Sequence, residues 1–148
     1  MIIFLDAGPL GLVTNPRAND KSKACGEWLL ACLEAGARVC IPEIADYEVR
    51  RELLRAAKTK GLSRLDELQH SVEYVPLTTA AMIKAAEFWA TARNAGKPTA
   101  AMEALDADVI LAAQALTAGD ANAVVATTNV GHLSRFVTAK TWSEIAPE

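Results

Sequence analysis

MIIFLDAGPL, Met1 to Leu10, is an apolar run that stops abruptly at an acid and a turn. Ile2, Ile3, Phe4 and Leu5 include β-branched residues and nothing polar, the pattern of a short strand buried on both faces. Asp6, Ala7, Gly8 and Pro9 then break that strand. A carboxylate thus stands at the carboxyl end of a central parallel strand, the edge at which α/β sheets bind ligands. Asp6 reads equally well as the cap of the next helix, since its side chain can accept from free N–H groups there. The rest of the chain has to choose between these roles.

The 148 residues are read as one domain, 1–148, long enough to bury a core. With 51% hydrophobic and 22% charged residues, the composition is that of a folded chain. A net charge of −3 does not mark a nucleic-acid binder, yet leaves room for a local basic surface. No run approaches the roughly 18 to 20 apolar residues of a membrane span. The apolar start has no basic flank and is interrupted by Asp6, unlike a secretory signal. A cytoplasmic protein with no membrane contact is expected. Cys25, Cys32 and Cys40 are odd in number and lack the C-x-x-C pairing of a zinc site. Cys25 and Cys32, seven apart, share a helical face as small core residues.

From the first strand outward, Pro9–Val13 suits one or two helical turns, ended by Asn15-Pro16. Helical periodicity runs from Asp20, as cap, to Gly36, as stop. Arg38–Ile41 is a second strand. Pro42–Lys60 is a helix broken at Gly61, and Leu62–His70 a further short one. Val72–Leu77 is a third strand. Thr78 or Thr79 caps a helix to Ala95, with Met82, Ala85, Trp89 and Ala92 inward and Gly96 ending it. A loop over 97–102 leads to a helix from about Asp106 to Gly119. Ala123–Ala126 is a strand, Val130–Phe136 a short turn or helix, and Val137–Trp142 an edge strand. Strands alternating with helices at this spacing predict a parallel sheet wrapped on both faces.

Acids recur at the ends of these elements. Glu48 lies four residues after Ile44, on a shared helical face, although it also suits a surface pair with Arg51 or Arg55. Asp106 and Asp108 begin a helix, where acids commonly cap and complement the dipole. Asp108, however, precedes the apolar VILAA and needs a partner or a cation on that inner side. Asn129 and His132 follow the AVVA strand, with Thr127 and Thr128 between. A parallel sheet can gather all of these at one edge. Clustered carboxylates repel one another unless something positive sits among them. Oxygen donors without cysteine or paired histidine point to Mg²⁺ or Mn²⁺.

The segments FLDAGPL around Asp6, IADYEVRREL around Glu48, LDADVILAAQA around Asp108 and VVATTNVGHL around Asn129 resemble the PIN-domain family, particularly VapC-type toxins of toxin–antitoxin systems. They occur in the family's order and span the chain. The resemblance implies an α/β three-layer sandwich with a central parallel sheet flanked by helices. It implies a Mg²⁺- or Mn²⁺-dependent endoribonuclease, with Asp6, Glu48 and Asp108 as catalytic and metal-binding acids and Asn129 orienting ligands or water. An RNA substrate, a cognate antitoxin and a homodimer are the expected partners. The chain departs from the family at position 132, where His132 replaces a frequent Asp, and Asp106 is offered as the substitute acid. Ala7 also replaces a frequent hydroxyl residue. His132 is expected to line the cleft without binding the ion, with Thr128 beside it.

Between Arg50 and Arg64 six basic residues face Glu52 alone, a net charge of +5. Such runs are usually solvated helix faces. Beside a phosphodiester site, Arg50, Arg51 and Arg55 are candidates for tracking an RNA backbone. Two other readings remain open. A receiver domain would need an acceptor Asp after its third strand, where this chain has Pro76-Leu77-Thr78. A non-catalytic PIN-fold module that binds RNA or protein would treat His132 as a sign of decay.

Overall fold

The computed structural model describes residues 1–17, 19–95 and 102–148. Its strands are β1 (Ile2–Leu5), β2 (Arg38–Pro42), β3 (Glu73–Val75), β4 (Ala123–Thr127) and β5 (Ala139–Thr141). Its helices are α1 (Ala7–Thr14), α2 (Asp20–Glu34), α3 (Glu43–Arg55), α4 (Thr59–Ser71), α5 (Thr79–Asn94), α6 (Met102–Ala118) and α7 (Val130–Leu133), followed by a 3-10 turn at Trp142–Glu144. The strands form one all-parallel sheet in the order β3-β2-β1-β4-β5.

β1 is central because all four of its residues are buried. Their alternation divides the core. Ile3 and Leu5 join Val39, Ile41, Val124 and Ala126 under α1, α2 and α4. Ile2 and Phe4 join Cys40 and Val125 under Leu111 and Ala115 of α6 and Leu133 of α7. α5 then packs on α6 through small residues, Ala81, Ala85 and Ala92 against Leu105, Val109 and Ala113. The result is the expected three-layer α/β sandwich. Cys25 and Cys32 are buried in the first of these clusters, and no cysteine is paired.

From β1 the chain builds outward to β2 and β3, then crosses back to β4 and β5 on the other side. Such a reversal opens a crevice at the carboxyl ends of the two strands that flank it, here β1 and β4. Asp6 follows β1, and Thr128 and Asn129 follow β4. Asp6 N donates to Ala126 O at 2.9 Å, so the two strand ends are tied where the crevice begins. Gly8 permits the loop after β4 to close on α1, since a Cβ there would stand 2.5 Å from Thr128 Oγ1.

Several boundaries differ from the sequence reading. The break in the α3–α4 region falls at Ala56–Lys58, and Gly61 lies inside α4. Ala57 adopts the left-handed conformation (φ 53°) that usually selects glycine, while Lys58 N donates to Leu53 O at 2.8 Å. Gly61 is needed for another purpose, because it packs against Leu53, whose Cδ2 would lie 2.8 Å from an added Cβ. Asn19, rather than Asp20, caps α2 by accepting from Ser22 N. Met82, expected inward, is exposed. α6 begins at Met102, four residues before the expected start, so Asp106 and Asp108 are not in its first turn. Gly96 and residues 97–101 of the expected loop lie outside the described residues.

Candidate metal and active site

Asp6 has two attachments. Oδ1 accepts from Ala7 N at 2.8 Å as the cap of α1, and Oδ2 accepts from Thr127 Oγ1 at 2.7 Å. Thr127 is fully buried, and its Oγ1 also accepts from Asn129 N at 2.9 Å. This hydroxyl fixes the acid at the end of β1 to the loop after β4. Asp6 is therefore both cap and cleft residue. Its pKa is raised by burial, although the Thr127 and Ala7 hydrogen bonds oppose the rise.

Glu48 reaches the crevice from α3. That helix is held at its start by Gln114, buried on α6, whose Oε1 accepts from Ile44 N at 3.1 Å while Nε2 donates to Val75 O at 2.9 Å. One satisfied amide thus sets α3 against α6 and β3. Glu48 has no ion pair within 4 Å among the described residues. Burial, followed by the negative charge of Asp6 and a smaller contribution from Asp108, pushes its pKa up to about 7, against the pull of Arg51. The Arg51 guanidinium also lies over the Tyr47 ring, 5.0 Å from its centroid.

Asp108 projects from α6. Burial first, then the charge of Asp6, raises its pKa to about 6, with His132 and Arg135 opposing. Its Oδ2 is buried with no hydrogen-bond partner among the described residues. The nearest cationic candidate is His132 Nδ1, 3.5 Å away. That nitrogen is engaged instead by Asn129 Nδ2 at 2.8 Å. Three acids from three distant segments thus feel each other's charge at one sheet edge, with Asn129 and His132 beside Asp108. Among the described residues, no group of three or more His, Cys, Asp or Glu side chains is placed so as to hold a metal ion.

Asp106 does not share this edge. Two residues before Asp108 on the same helix, it points about 200° away and lines a groove with Met82, Ala85 and Trp89 of α5. The arginines also divide. Arg50 is consumed by Asp46, which it grips through Nε and Nη2, and by Asp66 at 2.9 Å. Asp46 is buried and also accepts from Gln69, so this is a structural brace between α3 and α4. Arg55 pairs with Glu52 on the surface. Arg51 alone of the three is coupled to the acids. Thr128 is exposed against Gly8. The sequence reading missed Thr127 as an anchor, Gln114, and Arg135, whose charge offsets Asp108. Only Thr127 carried a signal, as a hydroxyl residue ending a buried strand.

The raised pKa values carry a stability consequence. A group whose folded pKa exceeds its unfolded value stabilises the fold below the unfolded value and loses that contribution as pH rises through the folded one. For Glu48 and Asp108 the loss falls between about pH 4 and about pH 7. Metal-free protein is expected to be less stable at pH 8 than at pH 5 through these groups. Both are partly exposed, so screening limits each contribution to roughly 1 kcal/mol. Denaturant titrations at the two pH values read this directly. Glu48→Gln should flatten the difference, and an unchanged difference would show that Glu48 is not the group responsible.

The PIN domain family model matches residues 3–135. Among solved structures, the chain is similar to one chain of VapBC2 from Rickettsia felis bound to a promoter DNA fragment. The identity is 19% over 96% of this chain and 99% of that one, with a TM-score of 0.72. A chain of VapBC-1 from nontypeable Haemophilus influenzae gives 18% identity, 97% and 100% coverage and a TM-score of 0.68. A chain of DNA-bound VapBC from Salmonella typhimurium gives 19%, 96% and 98%, and 0.66. Among curated proteins, none matches the sequence significantly. No described helix is long and apolar enough to cross a membrane.

Proposed function

The chain belongs to the PIN-domain family, and from that premise we propose that it is a divalent-metal-dependent endoribonuclease, the toxin of a type II toxin–antitoxin pair. The observation that carries this reading is the electrostatic coupling of Asp6, Glu48 and Asp108 at the β1–β4 crevice. Half-buried acids that raise one another's pKa values are suited to receive a cation. The orphaned Asp108 Oδ2 is an oxygen donor in want of a partner, which fits Mg²⁺ or Mn²⁺.

Asp6, Glu48 and Asp108 are the residues that would hold the ion. When bound, such an ion polarises a phosphoryl oxygen and makes a water nucleophilic near neutral pH. The chain's own part is positioning and charge. Thr127 holds the Asp6 carboxylate still. Asn129, fixed through its own N–H to Thr127, presents its amide toward His132 and can orient a water or a phosphate oxygen. Arg51 and Arg135 are the cations coupled to Glu48 and Asp108, suited to bind the phosphates on either side of the scissile bond. Arg50 and Arg55, already paired, contribute little to that surface.

The similarity to chains of VapBC complexes supports an antitoxin as partner. A single domain working as a homodimer in the cytoplasm completes the reading. The test is cleavage of a labelled RNA pool by purified protein. Cleavage is expected with Mn²⁺ or Mg²⁺, to be lost with chelator, and to be restored by added metal. RNA bound but uncut under all three conditions would favour the non-catalytic module instead.

A further inference from the structure

Gln114 is a polar side chain in an apolar setting, only 1% exposed, on the side of α6 that meets α3. The start of α3 gives the reason. That helix begins directly behind Pro42, which has no side-chain acceptor, and it has no side-chain cap of its own. The first-turn N–H of Ile44 is capped instead from α6, by Gln114 Oε1 at 3.1 Å. The other end of the amide, Nε2, donates to the carbonyl of Val75, the last residue of β3, at 2.9 Å. One partner can only donate and the other can only accept, so the amide has a single orientation.

This amide lies on the seam between two of the acids. Glu48 is one helical turn beyond Ile44, about 6 Å along α3. Asp108 lies six residues before Gln114, about 9 Å along α6. Leu111 comes midway between them and shares a buried cluster with Ile44. The side of each helix that meets the other thus also carries its acid. A change in the angle between α3 and α6 therefore moves Glu48 against Asp108. A second tie does not involve α6: Glu43 accepts from Leu77 N at 2.8 Å and from the Tyr74 hydroxyl at 3.3 Å. Without Gln114, α3 stays fastened at the end of β3 but is free to tilt.

We propose that Gln114 is a positioning residue, which by capping α3 from α6 sets where Glu48 stands relative to Asp6 and Asp108. Its consequence for cleavage rests on the proposed nuclease site; the placement of Glu48 does not. Methionine at 114 would fill nearly the same volume but leave the Ile44 N–H and the Val75 carbonyl buried and unpaired. Such groups are costly, so α3 shifts until water or another partner reaches them. Glutamate at 114 behaves differently. Burial keeps its carboxyl neutral, and a neutral carboxyl accepts from Ile44 N and donates to Val75 O as the amide does.

The test compares wild type, Gln114→Met and Gln114→Glu in the full chain. Crystal structures read the placement directly. In Gln114→Met the Glu48 carboxylate is expected to move by about 1 Å or more relative to Asp6 and Asp108, a misplacement large enough to be felt in catalysis. In Gln114→Glu it should stay. An unmoved Glu48 in Gln114→Met overturns the proposal, whatever happens to stability or activity. Should Gln114→Met not fold, Gln114→Asn, one methylene too short to reach both partners, takes its place under the same criterion. RNA cleavage reads the consequence. Gln114→Met should lower kcat about 10- to 100-fold with KM within about twofold, and Gln114→Glu should restore most of the loss. The loss should vanish on a Glu48→Gln background, because Gln114 acts through Glu48. Losses that multiply in the double variant overturn the action through Glu48. A lowered melting temperature with wild-type kcat reduces Gln114 to a structural brace. Wild-type protein that cuts no RNA with Mn²⁺ or Mg²⁺ overturns the nuclease reading alone, and the crystal structures still decide the placement.

Discussion

Replacing Asp6 with asparagine is expected to lower RNA cleavage about 10²- to 10³-fold, the scale on which removal of one charge-stabilising group at a reacting centre is felt. Folding should barely change. Asparagine keeps an oxygen to accept from Ala7 N, so the cap of α1 survives. The contact with Thr127 reverses, the new amide NH₂ donating to Oγ1, and the hydroxyl proton loses its acceptor, at a cost of about 1 kcal/mol. Against that loss, a buried charge disappears that raises the pKa values of Glu48 and Asp108. The two effects are of similar size and opposite sign, so metal-free stability near pH 7.5 should stay within about 1 kcal/mol of wild type. Single-turnover cleavage and a denaturant titration separate the cases. Full activity in a destabilised protein would mean that Asp6 is a helix cap and no more. Lost activity with preserved stability is the signature of a residue kept for chemistry at some expense to the fold.

Phe4→Ala should have the opposite profile, a large stability loss that takes activity with it only through unfolding. Phe4 has no exposed surface and is the largest fully buried side chain of the molecule's described residues. It packs with Leu111, Ala115, Val125 and Leu133 on the α6 side of β1. Its ring edge also approaches Gly119, where an added Cβ would meet Phe4 Cε2 at 3.0 Å. A site closed from so many directions cannot collapse around alanine, so the cavity persists. The expected cost is about 3–5 kcal/mol, a large part of the roughly 5–15 kcal/mol by which domains are stable. The melting temperature should fall by about 10 °C or more. A shift of only about 2 °C would mean that α6 and α7 move in to fill the space, and that the layer bearing Asp108 is softer than its packing suggests.

The layering was legible because it rests on local pattern. IIFL is apolar at every position, so it had to lie between two layers, and Asp6 had to emerge at its end. Helical period in α2 put Cys25, Trp28 and Cys32 on one face, where the core holds them. The order of the three acid-bearing segments put Asp6 at the end of β1 and Glu48 and Asp108 on helices, although both lie inside α3 and α6 and not at their ends.

Side-chain allegiance was not legible. Asp106 and Asp108 look alike in sequence, and only the start of α6 at Met102, with the rotation of 200° between them, sends one to the α5 groove and the other to the acids. Arg50 and Arg51 are neighbours, yet Asp46 and Asp66 capture the first and leave the second coupled to Glu48. The break after α3 passes through Ala57 in a conformation glycine usually fills, against local propensity. Thr127 became an anchor only when β4 paired beside β1, across 121 residues of chain. Periodicity and breakers act over a few residues and are written in the sequence. Hydrogen-bond partners, charge pairing and burial depend on which distant segments meet, and those were decided by the tertiary structure.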